Sequence, residues 1–123
     1  MQEKTKPSLS FLVLRTSQED KLLSFYRSLG LEFVPEKHER GPAHHACDLG
    51  GTVVEIYPRY KGEAESPQDG VIIGLTVESV EAVLQAVADA GFGTMPIPPA
   101  GAGRLLTADL KDPDGRKVIL RVR

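Results

Sequence analysis

The chain repeats itself. Leu14 and Leu75, Leu22 and Val83, and Gly30 and Gly91 each stand 61 positions apart, with no gap between them. Nearer the ends of the two halves the offset becomes 64, matching Gly51 with Gly115, Val54 with Val118 and Ile56 with Leu120. Any fold for this sequence must therefore be built twice from one plan. Two copies are too few for a solenoid, so the duplication has to close on itself within a domain.

The plan reads β-α-β-β-β. SFLVLRT (10–16) has strand composition, and SQEDKLLSFYRSLG (17–30) has helical spacing, with Leu22, Phe25, Tyr26 and Leu29 on one apolar face. Ser17 followed by Asp20 resembles a capping box, and Gly30 suits the left-handed position just past a helix end. LEFVPEKH, AHHACDL and TVVEIYP are strand-like, the last two joined at Gly50-Gly51. After the polar stretch RYKGEAESPQD, VIIGLTV (71–77) is a strand and ESVEAVLQAVADAG (78–91) a helix, with Val80, Val83, Leu84 and Val87 on one face. GTMPIPPAGAG holds a weak, proline-limited strand and a loop; RLLTADL and RKVILRV flank the turn DPDG. The expected organisation is one domain over 1–123, with a first module of about 8–58, a linker at 59–69 and a second module of about 70–123.

Composition removes several functions. A formal charge of −2 with scattered basic residues offers no footprint for nucleic acid. No apolar run approaches the roughly 20 residues that span a bilayer, and MQEKTKPSLS lacks the apolar core of a signal peptide. Cys47 is the single cysteine, which excludes an intramolecular disulfide or a multi-cysteine zinc knuckle. A cytoplasmic protein is expected.

Read together, FLVLRTSQEDKLLSFYRSLGLEF, GGTVVEIYP, IIGLTVESVEAVLQAVADAGF and KDPDGRKVIL resemble the vicinal-oxygen-chelate superfamily, which includes glyoxalase I, bleomycin-resistance proteins and extradiol dioxygenases. The resemblance runs from Phe11 to the C-terminus. It implies an α+β fold in which tandem βαβββ modules form a cupped mixed sheet around a ligand cleft, often within a homodimer. In metal-using members the resemblance places ligands early in the first strand and midway along the last strand of each module. Those positions here hold Phe11, Glu55, Ile72 and Ile119. Only Glu55 has a lone pair to give, and one carboxylate cannot hold a catalytic ion against water. No metal or other cofactor is therefore expected, and lactoylglutathione lyase activity and extradiol ring cleavage are disfavoured.

The stretch GPAHHACDLGGTVVEIYP (41–58) still carries ligand chemistry in His44, His45 and Glu55. Successive strand side chains point to opposite faces, so both histidines cannot face one cleft. A two-residue turn at Gly50-Gly51 pairs 46 with 55 and 44 with 57. His44, Ala46, Val53, Glu55 and Tyr57 then share the cleft face, while His45, Cys47, Val54 and Ile56 turn toward the helices. A slip of one residue would exchange the histidines. The same reasoning gives the cleft Phe11, Val13 and Arg15 from the first strand. Ile72, Gly74 and Thr76 come from the second module's first strand, and Lys117, Ile119 and Arg121 from its last.

Such a face suits a small organic ligand. Tyr57 and Phe11 offer flat surfaces for stacking, and Arg15 or Arg121 can pair with an anionic group. The plainer alternatives are core aromatics, solvated strand ends, a hydrogen-bonded His45 and a buried Cys47. Three functions compete: a metal-free binding protein of the bleomycin-resistance kind; a metal-free isomerase or epimerase with Glu55 as base and His44 as acid; and a metal-dependent lyase or dioxygenase with relocated ligands. The third needs another donor, for which Asp109, Asp112 and His38 are the candidates. Loop 96–103, stiffened by three prolines and loosened by Gly101 and Gly103, is a candidate lid.

Overall fold

The computed structural model describes residues 6–60, 70–93 and 103–123. The first half contains β1 (Phe11–Thr16), α1 (Glu19–Ser28), β2 (Val34–Glu36), β3 (His44–Leu49) and β4 (Thr52–Pro58). The second contains β5 (Ile72–Val77), α2 (Val80–Asp89), β6 (Thr107–Lys111) and β7 (Lys117–Val122). The fold is α+β. The weak strand expected in the proline-rich run, most of the 59–69 linker and nearly all of the candidate lid lie outside the described residues.

Each half makes a mixed sheet, in the order β1-β4-β3-β2 and β5-β7-β6. β1 runs parallel to β4 and β5 parallel to β7, with each helix as the crossover from the first strand. β1 and β5 each lie at one end of their sheet. β2 lies at the other end of the first sheet, which is where Pro35, with no N–H for a ladder, is tolerated.

Both helices finish in the same way. Leu31 N–H donates to Tyr26 O and Gly30 N–H to Arg27 O; Phe92 donates to Val87 O and Gly91 to Ala88 O. Gly30 and Gly91, at φ of +103° and +93°, supply the left-handed residue each motif needs. The helix starts differ. Ser79 caps α2, its Oγ accepting from Ala82 N–H at 3.1 Å. The N-cap position of α1 is held by Gln18, one residue after the Ser17 expected there, and Gln18 makes no side-chain cap. Its amide instead donates to Pro113 O at 2.9 Å and Asp114 Oδ1 at 2.7 Å, in the turn before β7.

One apolar core serves both halves. Leu14, Leu22, Phe25, Tyr26, Val54 and Ile56 pack with Val80, Leu84, Val87, Val118 and Leu120. Phe25 stands edge-on to Tyr26 and to Phe92, at 5.2 and 5.3 Å between ring centres. Beside this core the DPDG turn crosses to the first half through a buried polar cluster. Asp112 accepts from the Tyr26 hydroxyl at 2.7 Å and from Arg116 Nη1 at 3.1 Å, and Arg116 Nη2 donates to Arg15 O at 2.8 Å. A buried ion pair is tolerated when its remaining donors and acceptors are met, and Asp112 Oδ1 also accepts the N–H groups of Asp114 and Arg116.

Candidate functional site

The β3–β4 hairpin sets the site. Gly50 and Gly51, at φ of +65° and +102°, form the two-residue turn, with Leu49 opposite Thr52 and Ala46 opposite Glu55. Cys47, Val54 and Ile56 thus enter the core, and His44, Glu55 and Tyr57 share the opposite face. β1 extends this face, with Phe11 opposite Val53, Val13 opposite Glu55 and Arg15 opposite Tyr57. In the second sheet Ile72 lies opposite Lys117, Gly74 opposite Ile119 and Thr76 opposite Arg121.

His44 is 1% exposed, and its ring lies flat on Tyr57 at 4.1 Å between centres. Its Nδ1 lies 3.2 Å from Pro42 O, which can only accept, so Nδ1 carries a proton. Nε2 faces Glu36 Oε2 and Glu55 Oε2, each at 3.2 Å, and the Tyr57 hydroxyl at 3.3 Å. Burial, then the charge and hydrogen bond of Glu55, push the Tyr57 phenol above its ordinary value. His38 completes the group, with Nε2 3.7 Å from Glu36 Oε2 and its ring 5.1 Å from that of His44.

Glu36 is the residue that sequence reasoning passed over. It lies directly opposite His44 across the β2–β3 pair. The connection between those strands has no two-residue turn signature, so no register follows from the sequence alone. Asp109 and Asp112 are not donors here: Asp109 pairs with Lys117 at 3.3 Å, and Asp112 is committed to Tyr26 and Arg116.

The remaining candidates are spread along the two sheets. Phe11 and Ile72 are each 60% exposed, so Phe11 is no core aromatic. Val13 and Ile119 are half-buried, while Thr76 and Arg121 are exposed. Arg15 is not simply a solvated strand end. Its guanidinium lies 4.2 Å from the centre of the Tyr60 ring, and Nη2 donates to the Tyr60 hydroxyl at 3.0 Å. His45 Nδ1 is buried with no hydrogen-bond partner among the described residues, against the expectation of ordinary bonding.

An apolar hollow of about 400 Å³ opens between the two halves. Leu9, Leu12, Leu49 and Val54 line it from one side, Val71, Ile72, Gly74 and Leu75 from the other, and Tyr26 and Leu31 from α1 and its exit. Of the expected cleft residues Ile72 and Gly74 line it; Phe11, Val13, Arg15, Glu55, Tyr57, Thr76, Ile119 and Arg121 do not. Leu9, Leu49 and Val71 are large apolar residues at strand ends, a signal visible in the sequence but not separable there from ordinary flanking residues.

A βαβββ first half and a second half that reads βαββ over the described residues, with an apolar hollow between them, define a small α+β fold. The family model for the Glyoxalase/Bleomycin resistance protein/Dioxygenase superfamily matches residues 8–120, and the chain belongs to that superfamily. Among solved structures it is similar to hypothetical protein SA1046 from S. aureus, at 21% identity and TM-score 0.70 over 98% of this chain and 96% of that one. It is also similar to TnmS3, an antibiotic binding protein from Streptomyces sp. CB03234, at 14% identity and TM-score 0.67 over 98% of each chain. A third is a glyoxalase/bleomycin resistance protein from Albidiferax ferrireducens T118, at 21% identity and TM-score 0.60 over 94% of this chain and 98% of that one. The comparison with curated proteins finds no match.

At the four positions where the resemblance expects metal ligands, the residues present do not suit a metal. Phe11, Ile72 and Ile119 supply no donor atom, and Glu55, the fourth, is engaged with His44.

Proposed function

We propose that the protein binds a small, largely apolar organic molecule at the seam between its two sheets, without a metal at the family's usual positions. The hollow between β1 and β5 carries this reading, because its volume lies within the range of small-molecule sites and its walls are aliphatic. Ile72 and Gly74 belong both to the hollow and to the face shared with Thr76, Ile119 and Arg121, so a ligand seated there extends toward that face. Phe11, exposed at the neighbouring strand, offers a stacking surface, and Arg15 or Arg121 a partner for an anionic substituent. The likeness to an antibiotic binding protein adds a reason to include antibiotics among the compounds tried.

The reading includes a cytoplasmic homodimer. β1 and β5 each leave one edge without a partner among the described residues, and an uncovered edge beside exposed Phe11 and Ile72 favours association. No described helix is long and apolar enough to cross a membrane.

Gly74 supplies the test. An added Cβ there meets nothing within 4 Å, so Gly74→Leu adds bulk to the wall of the hollow without a clash at Cβ. A panel of aromatic carboxylic acids and flat antibiotics is screened by thermal shift, and each binder is measured by calorimetry. Gly74→Leu and Phe11→Ser are each expected to weaken a one-to-one binder at least tenfold. Affinity unchanged in both variants removes the seam as the site.

A further inference from the structure

We infer that Glu36, His38 and His44 form a binding site for a divalent ion of the zinc class, set at the β2–β3 edge and away from the family's metal positions. The donor atoms of these three residues lie within 4.8 Å of one another. Zinc bonds of about 2.0–2.2 Å put neighbouring tetrahedral ligand atoms about 3.4 Å apart. His44 Nε2 to Glu36 Oε2 is 3.2 Å, and Glu36 Oε2 to His38 Nε2 is 3.7 Å, close to two such edges. His38 and Glu36 have side chains 73% and 41% exposed, so both can shift to close the third edge without disturbing packing. Two imidazoles and a carboxylate suit zinc, cobalt(II) or nickel(II) rather than magnesium or calcium.

His44 supplies an independent observation. It is almost fully buried, its Nδ1–H is fixed on Pro42 O, and its other nitrogen is aimed into a space bordered by two carboxylates. That is the arrangement of a metal-ligating histidine, whose second nitrogen is oriented by a backbone carbonyl. Nε2 faces two carboxylate oxygens as well as the Tyr57 hydroxyl at 3.3 Å, so positive charge is favoured between the carboxylates. A proton on Nε2 can point at only one of Glu36 and Glu55, whereas an ion draws on Glu36 and Nε2 together, with Glu55 as the neighbouring counter-charge. An ion also draws in His38, whose Nε2 already lies 3.7 Å from Glu36 Oε2. Three protein donors leave a fourth position open to water on the exposed side.

The site shares no residue with the apolar seam, so a protein that binds organic ligands but no metal leaves the proposed function standing. The test uses the full chain without an affinity tag, stripped with chelator and dialysed, then titrated with Co²⁺ and Zn²⁺. The expected result is one equivalent of Co²⁺ with the intense visible bands of a four-coordinate site, displaced by Zn²⁺. His38→Ala and Glu36→Gln, both surface changes, each weaken that binding at least tenfold with unchanged circular dichroism. Lys37→Ala leaves it unaltered. No stoichiometric Co²⁺ uptake, or uptake undiminished in both variants, overturns the site.

Discussion

At the scale of single residues, the hairpin shows how much one face assignment decides. Alternation about the Gly50-Gly51 turn is enough to place Cys47 inside and His44 beside Glu55, and both placements follow from the sequence. The company His44 keeps does not, because Glu36 and His38 reach it across a connection whose length and turns are not encoded by any short motif. Cys47 carries the simplest consequence. Burial pushes its thiol above the ordinary value, so the nucleophilic thiolate is both scarce and sheltered. Alkylation of the folded chain at pH 8 is expected to run on the order of a hundredfold slower than in denaturant, the reaction waiting on local opening. Equal rates, measured by mass spectrometry, would contradict the packing assigned to β3.

At the scale of elements, helix ends and the DPDG turn illustrate what local signals can and cannot say. Gly30 and Gly91 are legible as helix stops because a left-handed residue is needed there and glycine takes it at no steric cost. The start of α1 is less legible: Gln18 takes the N-cap position, its side chain held by Pro113 and Asp114 of the other half. The same turn carries Asp112 to Tyr26. Burial, then Asp112, push the Tyr26 phenol far above its ordinary value of 10. The folded chain keeps this proton after the unfolded chain has lost it, so the associated stability is complete below pH 10 and declines as pH rises further. Tyr26→Phe, which removes one hydrogen bond to a charged group, is expected to cost about 1.5–3 kcal/mol at neutral pH. In urea titrations the gap between wild type and Tyr26→Phe should narrow above pH 10. A gap that stays constant would mean that the phenol and Asp112 are not coupled in solution.

At the scale of the molecule, the duplication is the most legible feature, since two copies of one hydrophobic pattern impose two similar sheets and one shared core. The seam between those sheets is the least legible. Its walls come from Leu9, Leu31, Leu49 and Val71, none of which bears a recognisable signature, and from helix-facing residues such as Leu12 and Val54. Reading strand faces alone put the ligand over Glu55, whereas the hollow lies where the β1 and β5 ends of the two sheets meet. In the proposed function this seam takes an organic ligand with no metal at the family's positions. The most direct measurement is a methyl NMR titration of the chelator-treated protein with a binder from the screen, following Ile72, Leu12 and Ile119. Saturable shifts centred on Ile72 and Leu12, reaching Ile119, are expected in the continued presence of chelator. Shifts that appear only when a divalent metal is added, or that bypass Ile72 and Leu12, would contradict the proposed function.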